Sequence, residues 1–89
     1  MSIFVDEIRE YPSGKWCHMW SDEDDAILDV FALRLGLKLS WSHTSWGITE
    51  PFYHYDLTPD KRVLALKYGA KYMPLKDWIE PRHPQDGTT

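Results

Sequence analysis

A chain of 89 residues is long enough for one domain with a single hydrophobic core and too short for two. Hydrophobic residues at 43% and charged residues at 27% are typical of a folded protein, and the formal charge of −4 disfavours general binding to nucleic acid. The single cysteine, together with the lack of a signal-peptide pattern or a long apolar run, predicts a cytoplasmic protein without membrane insertion, from a bacterium or a phage-infected host cell.

The beginning of the chain predicts two strands joined by a turn. The β-branched and aromatic run 3–5 predicts a buried strand that ends at Asp6. The Tyr-Pro-Ser-Gly sequence at 11–14 is typical of a turn. Residues 15–20 alternate in character, which predicts a second strand with two distinct faces. One face carries Trp16, His18 and Trp20, and the other carries Cys17 and Met19.

A first helix is predicted from Asp22 to Leu35. Ser21 can cap it, and the acidic residues at 22–25 complement the positive end of its dipole. Its apolar residues recur at the spacing of one buried stripe, and Gly36 is the expected stop. The stripe comprises Leu28, Phe31, Ala32 and Leu35, widened by Ile27 and Val30.

The segment after Gly36 predicts a strand, a loop and another strand. Alternation at 37–41 favours a short strand, and residues 52–56 again have strand composition. The Ser-, Thr-, Gly- and Pro-rich residues 42–51 predict the main loop. His43 and Trp46 of that loop could fold over a ligand as a lid, or could form an oligomer contact.

A second helix is predicted to begin at Thr58, as its cap, with Pro59 in the first turn, and to stop at Gly69. A short strand at 70–73 and a helical turn at 76–80 follow. The residues expected to point inward are Val63, Leu64 and Leu66.

Strands that alternate with helices predict the α/β class. We expect a small single domain over residues 1–80, with a short mixed or partly parallel sheet and two main helices packed on it. Residues 81–89 are predicted to form a polar, flexible C-terminal tail.

Two histidine-bearing segments predict a shared polar site. His54 and Asp56 share a strand face because they are two residues apart. Together with Asp6 they lie at or near strand ends, where ligands gather in open α/β sheets. With His18 they could hold a divalent metal or supply an acid and a base to a phosphoester. The alternative is that the histidines are satisfied core residues and the aspartates cap turns.

The start of the second helix predicts an anion or phosphate cradle. Free backbone N–H groups and the helix dipole lie beside the charges of Lys61 and Arg62. The alternative is that this pair forms a solvated helix face. Five tryptophans and five tyrosines exceed what a small core needs, which favours an aromatic pocket or interface, although large side chains could simply enlarge the core.

Several motifs together resemble the domain-of-unknown-function 4031 family of bacteria and their phages, over about residues 3–74. The motifs are Val5-Asp6, Trp16-Cys17-His18-Met19, Phe31-Ala32-x-Arg34-Leu35-Gly36-Leu37, Trp41, His54-Tyr55-Asp56-Leu57-Thr58, Lys61-Arg62 and Leu66-x-x-Gly69-Ala70. The resemblance implies a shared site and no particular activity. The positions that match the polar and aromatic signature of the family are Asp6, Trp16, His18, His54, Tyr55 and Asp56.

The sequence favours binding of a small phosphorylated or nucleotide-like ligand, and a phage-encoded chain could thereby sequester a signalling nucleotide. Trp16, Trp41 and Tyr55 are the expected wall residues, and Lys61 and Arg62 would meet the phosphate. The expected hydrogen-bonding residues are His18, His54 and Asp56, and Asp6 is a further candidate ligand-binding residue.

Two other functions stay open, a metal-assisted phosphoesterase and a protein-interaction or inhibitor module. No cofactor is expected, and a metal, if bound, would be held by His18, His54 and Asp56. Small size with many aromatic residues favours a homodimer.

Overall fold

A computed structural model describes residues 2–46 and 51–82. Its strands are β1 (Ile3–Val5), β2 (Arg9–Tyr11), β3 (Gly14–Ser21), β4 (Ser42–Trp46), β5 (Pro51–Leu57) and β6 (Lys71–Tyr72). Its helices are α1 (Asp25–Arg34), α2 (Pro59–Lys67) and α3 (Leu75–Arg82), with a 3-10 turn at Leu39–Trp41.

The six strands of the described residues form one mixed sheet in the order β4-β5-β3-β1-β6, and β2 pairs with the first residues of β3. β3 is the central strand, antiparallel to β1, β2 and β5. β6 lies parallel to β1, which makes the sheet partly parallel. The predicted α/β class, with a mixed sheet and two main helices, is confirmed.

Helices α1 and α2 both contact β3 and β5 and cover one face of the sheet. Cys17 and Met19 of β3 are buried in this core, as the alternation of the strand predicts. The predicted stripe of α1 is also buried, and comprises Leu28, Phe31, Ala32 and Leu35. Val30, which was expected to widen the stripe, is instead 60% exposed.

Aromatic rings cover part of the opposite face. The indole of Trp20 lies 5.9 Å from that of Trp78 in α3 and 5.6 Å from the ring of Phe52, measured between centroids. Phe4 packs against both tryptophans at 6.0 Å. This cluster buries Trp20 almost completely, and the same sheet face continues past it to His18.

The predicted cap of α1 is wrong. Ser21 still belongs to β3, where it pairs with Ile3, so the helix begins later than expected. Asp24 is the cap, and its carboxylate accepts a hydrogen bond from the Ala26 amide at 2.8 Å. The acidic run therefore supplies the cap itself as well as charge beside the helix dipole.

The segment predicted as a strand at 37–41 and a loop at 42–51 folds differently. Leu39–Trp41 is a 3-10 turn, and Ser42–Trp46 is strand β4, paired antiparallel with β5. Polar residues suit an edge strand because only one of its edges is paired and much of it meets water. Residues 47–50 of the predicted loop lie outside the described part of the chain.

Helix α2 begins as predicted, with the Thr58 hydroxyl accepting a hydrogen bond from the Lys61 amide and Pro59 in the first turn. The expected inward face was wrong for two of its three residues, because Val63 is 66% exposed and Leu66 also faces solvent. Ala65 is the buried residue of this helix, and Leu64 packs only partly against the core.

After α2 the chain adds strand β6 to the sheet and then helix α3, whose Trp78 packs on the aromatic face. The predicted strand at 70–73 is β6, and the predicted turn at 76–80 extends to the full helix α3. The first residues of the predicted tail, 81 and 82, end this helix, and residues 83–89 lie outside the description. No helix within residues 2–46 and 51–82 is long and apolar enough to cross a membrane.

The two faces of α1 predict opposite effects for the same substitution. Leu28→Ala should lower the free energy of unfolding by about 2–5 kcal/mol, because Leu28 is fully buried and a cavity would remain. Leu33→Ala, at a side chain that is 53% exposed, should change it by less than about 0.5 kcal/mol. Urea denaturation of both variants checks the orientation of the helix, and equal losses would contradict it.

Candidate functional site

The carboxylate of Asp6 holds His18 at two points. Oδ1 accepts a hydrogen bond from the His18 backbone amide at 2.6 Å, and Oδ2 lies 2.7 Å from Nδ1 of the imidazole. Asp6 follows β1 directly, and its own amide donates to the His18 carbonyl at 3.2 Å. Because Asp6 is buried and bonded to both the backbone and the ring, it fixes the orientation of the His18 side chain.

Strand pairing brings two further histidines and a carboxylate beside His18. His18 of β3 is paired with Asp56 of β5, and His54 of β5 is paired with His43 of β4. The ring centroid of His54 lies 5.2 Å from that of His18 and 5.7 Å from that of His43. One sheet face therefore carries three imidazoles and one carboxylate across three adjacent strands.

The carboxylate of Asp56 lies near the imidazoles of both His54 and His43. Its Oδ1 is 3.5 Å from Nε2 of His54, and its Oδ2 is 3.5 Å from Nε2 of His43. On the other side of the His54 ring, Nδ1 donates to the carbonyl of Phe52 at 3.1 Å. One ligand atom from each of His18, His54 and Asp56 lies within 4.8 Å of the other two, so these three residues could hold a metal ion.

The two inner histidines have pKa values shifted in opposite directions. The hydrogen bond to Asp6 raises the pKa of His18 above its usual 6.5, against the opposing effect of burial. Burial lowers the pKa of His54, and the Phe52 carbonyl opposes that change only in part. His18 is thus the ring that more readily holds a proton, and His54 is the ring that more readily stays neutral.

The cluster opens into a cleft of about 980 Å³ beside the start of α2. The aromatic residues of its wall are Tyr11, Trp16 and Trp41, and the polar ones include His18, His43, His54, Asp56, Thr58 and Lys61. The Trp16 indole donates to the Ser13 hydroxyl at 3.1 Å, and the Trp41 ring lies under the Lys38 ammonium. Both indoles are therefore positioned by a neighbouring polar group.

Most of the predicted site residues meet at this place. His18, His54, Asp56, Trp16, Trp41 and Lys61 line the cleft, and Asp6 supports His18 from behind. The Lys61 ammonium also donates to the Leu35 carbonyl at 2.6 Å, so it caps the end of α1 as well as facing the cleft.

Two residues that were predicted to bind the ligand, Tyr55 and Arg62, do not line the cleft. Tyr55 is fully buried on the opposite sheet face, where its hydroxyl donates to Asp29 at 2.7 Å. Strand alternation separates it from His54 and Asp56, which are its immediate neighbours. Arg62 lies outside the cleft wall, and its Nε donates to the Asp6 carbonyl at 2.8 Å, so it supports the site through the backbone.

His43 is the site residue whose position the sequence did not predict. The composition of residues 42–51 indicated a loop, which left His43 only as a lid. Its register opposite His54 is set by the pairing of β4 with β5. The available signal was the alternation of residues 42–46, which is weak because four of those five residues are polar.

The fold and the site define a small α/β domain with a cleft lined by histidine, aspartate and tryptophan. The chain belongs to the family described as proteins of unknown function, DUF4031, whose family model matches residues 3–82. This match confirms the resemblance found in the sequence motifs. A comparison with curated proteins and a comparison with solved structures each found no match.

The Asp6–His18 pair predicts how the imidazoles titrate. In chelator-treated protein, the pKa of His54 should lie below the usual 6.5 and the pKa of His18 above it. Asp6→Asn should lower the pKa of His18. The raised pKa belongs to the folded state, so the Asp6–His18 pair stabilises the fold fully below pH 6.5, the usual pKa of histidine. This stability is lost as the pH rises through the pKa of His18 in the folded protein. Nitrogen-15 NMR of the rings measures both values.

Glu10→Gln, an exposed charge change in β2, is the control and should leave both titrations in place. A His18 pKa that is the same in the wild type and in Asp6→Asn would contradict the assigned role of Asp6.

Proposed function

We propose that this chain binds a small phosphorylated, nucleotide-like ligand in the cleft. The observation that carries the proposal is the pairing of aromatic walls with a cluster of imidazoles in one cleft of about 980 Å³. Cofactor and ligand pockets commonly occupy about 300–1,000 Å³ and combine apolar walls with a few placed polar groups. The cleft has the size and the mixed lining that such a ligand requires.

The aromatic side of the cleft suits a planar ring. Trp16 is half-buried against the β2–β3 turn, and Trp41 is about half exposed, so each offers indole surface to an incoming base. Stacking of a base on an aromatic side chain contributes about 1–3 kcal/mol.

The polar side of the cleft suits an anionic group. His18 carries a raised pKa, and His43 offers an exposed imidazole at the cleft wall. The start of α2 adds the Thr58 hydroxyl and the positive end of the helix dipole, with Lys61 close by. These groups support a phosphate bound in the same cleft.

The Asp6–His18 pair favours a second function at the same site, hydrolysis of a phosphoester. A carboxylate on Nδ1 orients the ring and leaves Nε2 to act on a water molecule or a leaving group. Release of inorganic phosphate from the bound nucleotide would separate hydrolysis from binding alone. Binding without turnover would fit sequestration of a signalling nucleotide.

Thermal unfolding across a panel of mono-, di- and cyclic nucleotides tests the binding proposal. At least one member should raise the melting temperature, and the rise should grow roughly with the logarithm of the ligand concentration, because a ligand that binds only the folded state stabilises it. Trp16→Ala and Trp41→Ala should each weaken binding by about 1–3 kcal/mol.

Tyr68→Ala is the matched control, because Tyr68 is an exposed aromatic residue that lies against Arg34 and takes no part in the cleft. It should bind as the wild type does. No stabilisation by any member of the panel, or equal losses in Tyr68→Ala and Trp16→Ala, would overturn the proposal.

A further inference from the structure

Both inner histidines have one ring nitrogen engaged by an oxygen, and their rings lie side by side with centroids 5.2 Å apart. Nδ1 of His18 lies on the Asp6 carboxylate and Nδ1 of His54 on the Phe52 carbonyl, at 2.7 and 3.1 Å. In the neutral imidazole, a hydrogen bond of this kind keeps the proton on Nδ1 and leaves the lone pair on Nε2. Metal-binding histidines in proteins commonly have such an oxygen behind the ring.

The third group is the carboxylate of Asp56, which lies beside both rings. His18, His54 and Asp56 each offer an atom within 4.8 Å of the others, and two ligands of a tetrahedral zinc ion are about 3.4 Å apart. Nε2 of His54 and Oδ1 of Asp56 already lie 3.5 Å apart, so only the wider separations, by up to about 1.4 Å, would have to close around an ion. Asp56 is partly exposed, so its side chain is free to change rotamer around an ion.

We propose that His18, His54 and Asp56 bind a divalent first-row transition-metal ion, with Asp6 as the residue that positions His18. Two imidazole nitrogens and one carboxylate oxygen suit zinc, iron(II), cobalt(II) or manganese(II). Calcium and magnesium favour ligand sets made of oxygen alone, so the histidines disfavour them.

The ion would reconcile two features of the cleft. Asp56 places negative charge on the wall of the cleft that would hold the proposed phosphate, and this charge by itself repels that group. A divalent ion held by three side chains keeps coordination positions open to the cleft, and phosphate oxygens can fill them. This part of the inference rests on the proposed function, whereas binding of the ion itself does not.

Titration of the full chain with cobalt(II) after chelator treatment, without nucleotide, tests the ion site. We expect one ion per chain, visible absorption bands of nitrogen- and oxygen-bound cobalt, and paramagnetically shifted ring signals from His18 and His54. Zinc should displace the cobalt and abolish those bands. Bands without shifted histidine signals, or no saturable binding, would overturn the inference.

Matched variants locate the ion. Asp56→Asn should weaken binding by about tenfold or more, and Asp60→Asn, an exposed aspartate at the start of α2, should not change it. Asp6→Asn should weaken binding by about 10–100-fold while the stoichiometry stays the same, because Asp6 acts through His18. Wild-type affinity in folded Asp56→Asn would also overturn the inference, with folding verified by circular dichroism.

The two proposals fail in different ways. Cobalt binding with no response to any nucleotide would remove the proposed function and leave the ion site. Nucleotide binding of equal strength in chelator and in zinc, together with no cobalt binding, would remove the ion site and leave the proposed function.

Discussion

The double contact between the Asp6 carboxylate and His18 is the interaction on which the site depends. It joins the end of β1 to the middle of β3, and the carbonyl of the same aspartate accepts a hydrogen bond from Arg62 of α2. Three elements therefore meet at one buried residue. A buried carboxylate that lost these partners would be strongly unfavourable, so the fold and the orientation of His18 are coupled.

Strand alternation predicted which face of a strand carries each candidate residue of β3 and β5, but it did not predict that β4 adds His43. It placed His18 opposite Cys17, and it placed His54 with Asp56, because a period of two fixes the face of every strand residue. The structure brings these residues together because β3 and β5 are neighbours. Alternation also places Tyr55 on the other face of β5, although the resemblance to the family had grouped it with the site.

Contacts between residues distant in the chain set the orientation of α2 and the position of His43, and the sequence pattern did not predict these contacts. The inward face of α2 carries Lys61 and Arg62, which donate to backbone carbonyls of Leu35 and Asp6, and these acceptors are distant in the chain. Apolar periodicity therefore predicted that Val63 faces the core, whereas Val63 is exposed. In the same way His43 joins the site because β5 has a free edge for β4, although its segment has the composition of a loop.

The central proposal is that His18, His54 and Asp56 form one binding centre in the cleft that Trp16 and Trp41 also line. A crystal structure of the chain grown with zinc and a nucleoside monophosphate tests it most directly. The account predicts an anomalous zinc peak about 2.0–2.2 Å from Nε2 of both histidines and from an Asp56 oxygen, with the base in the cleft between Trp16 and Trp41. Zinc or nucleotide bound only at other places, with the two imidazoles unliganded, would contradict it.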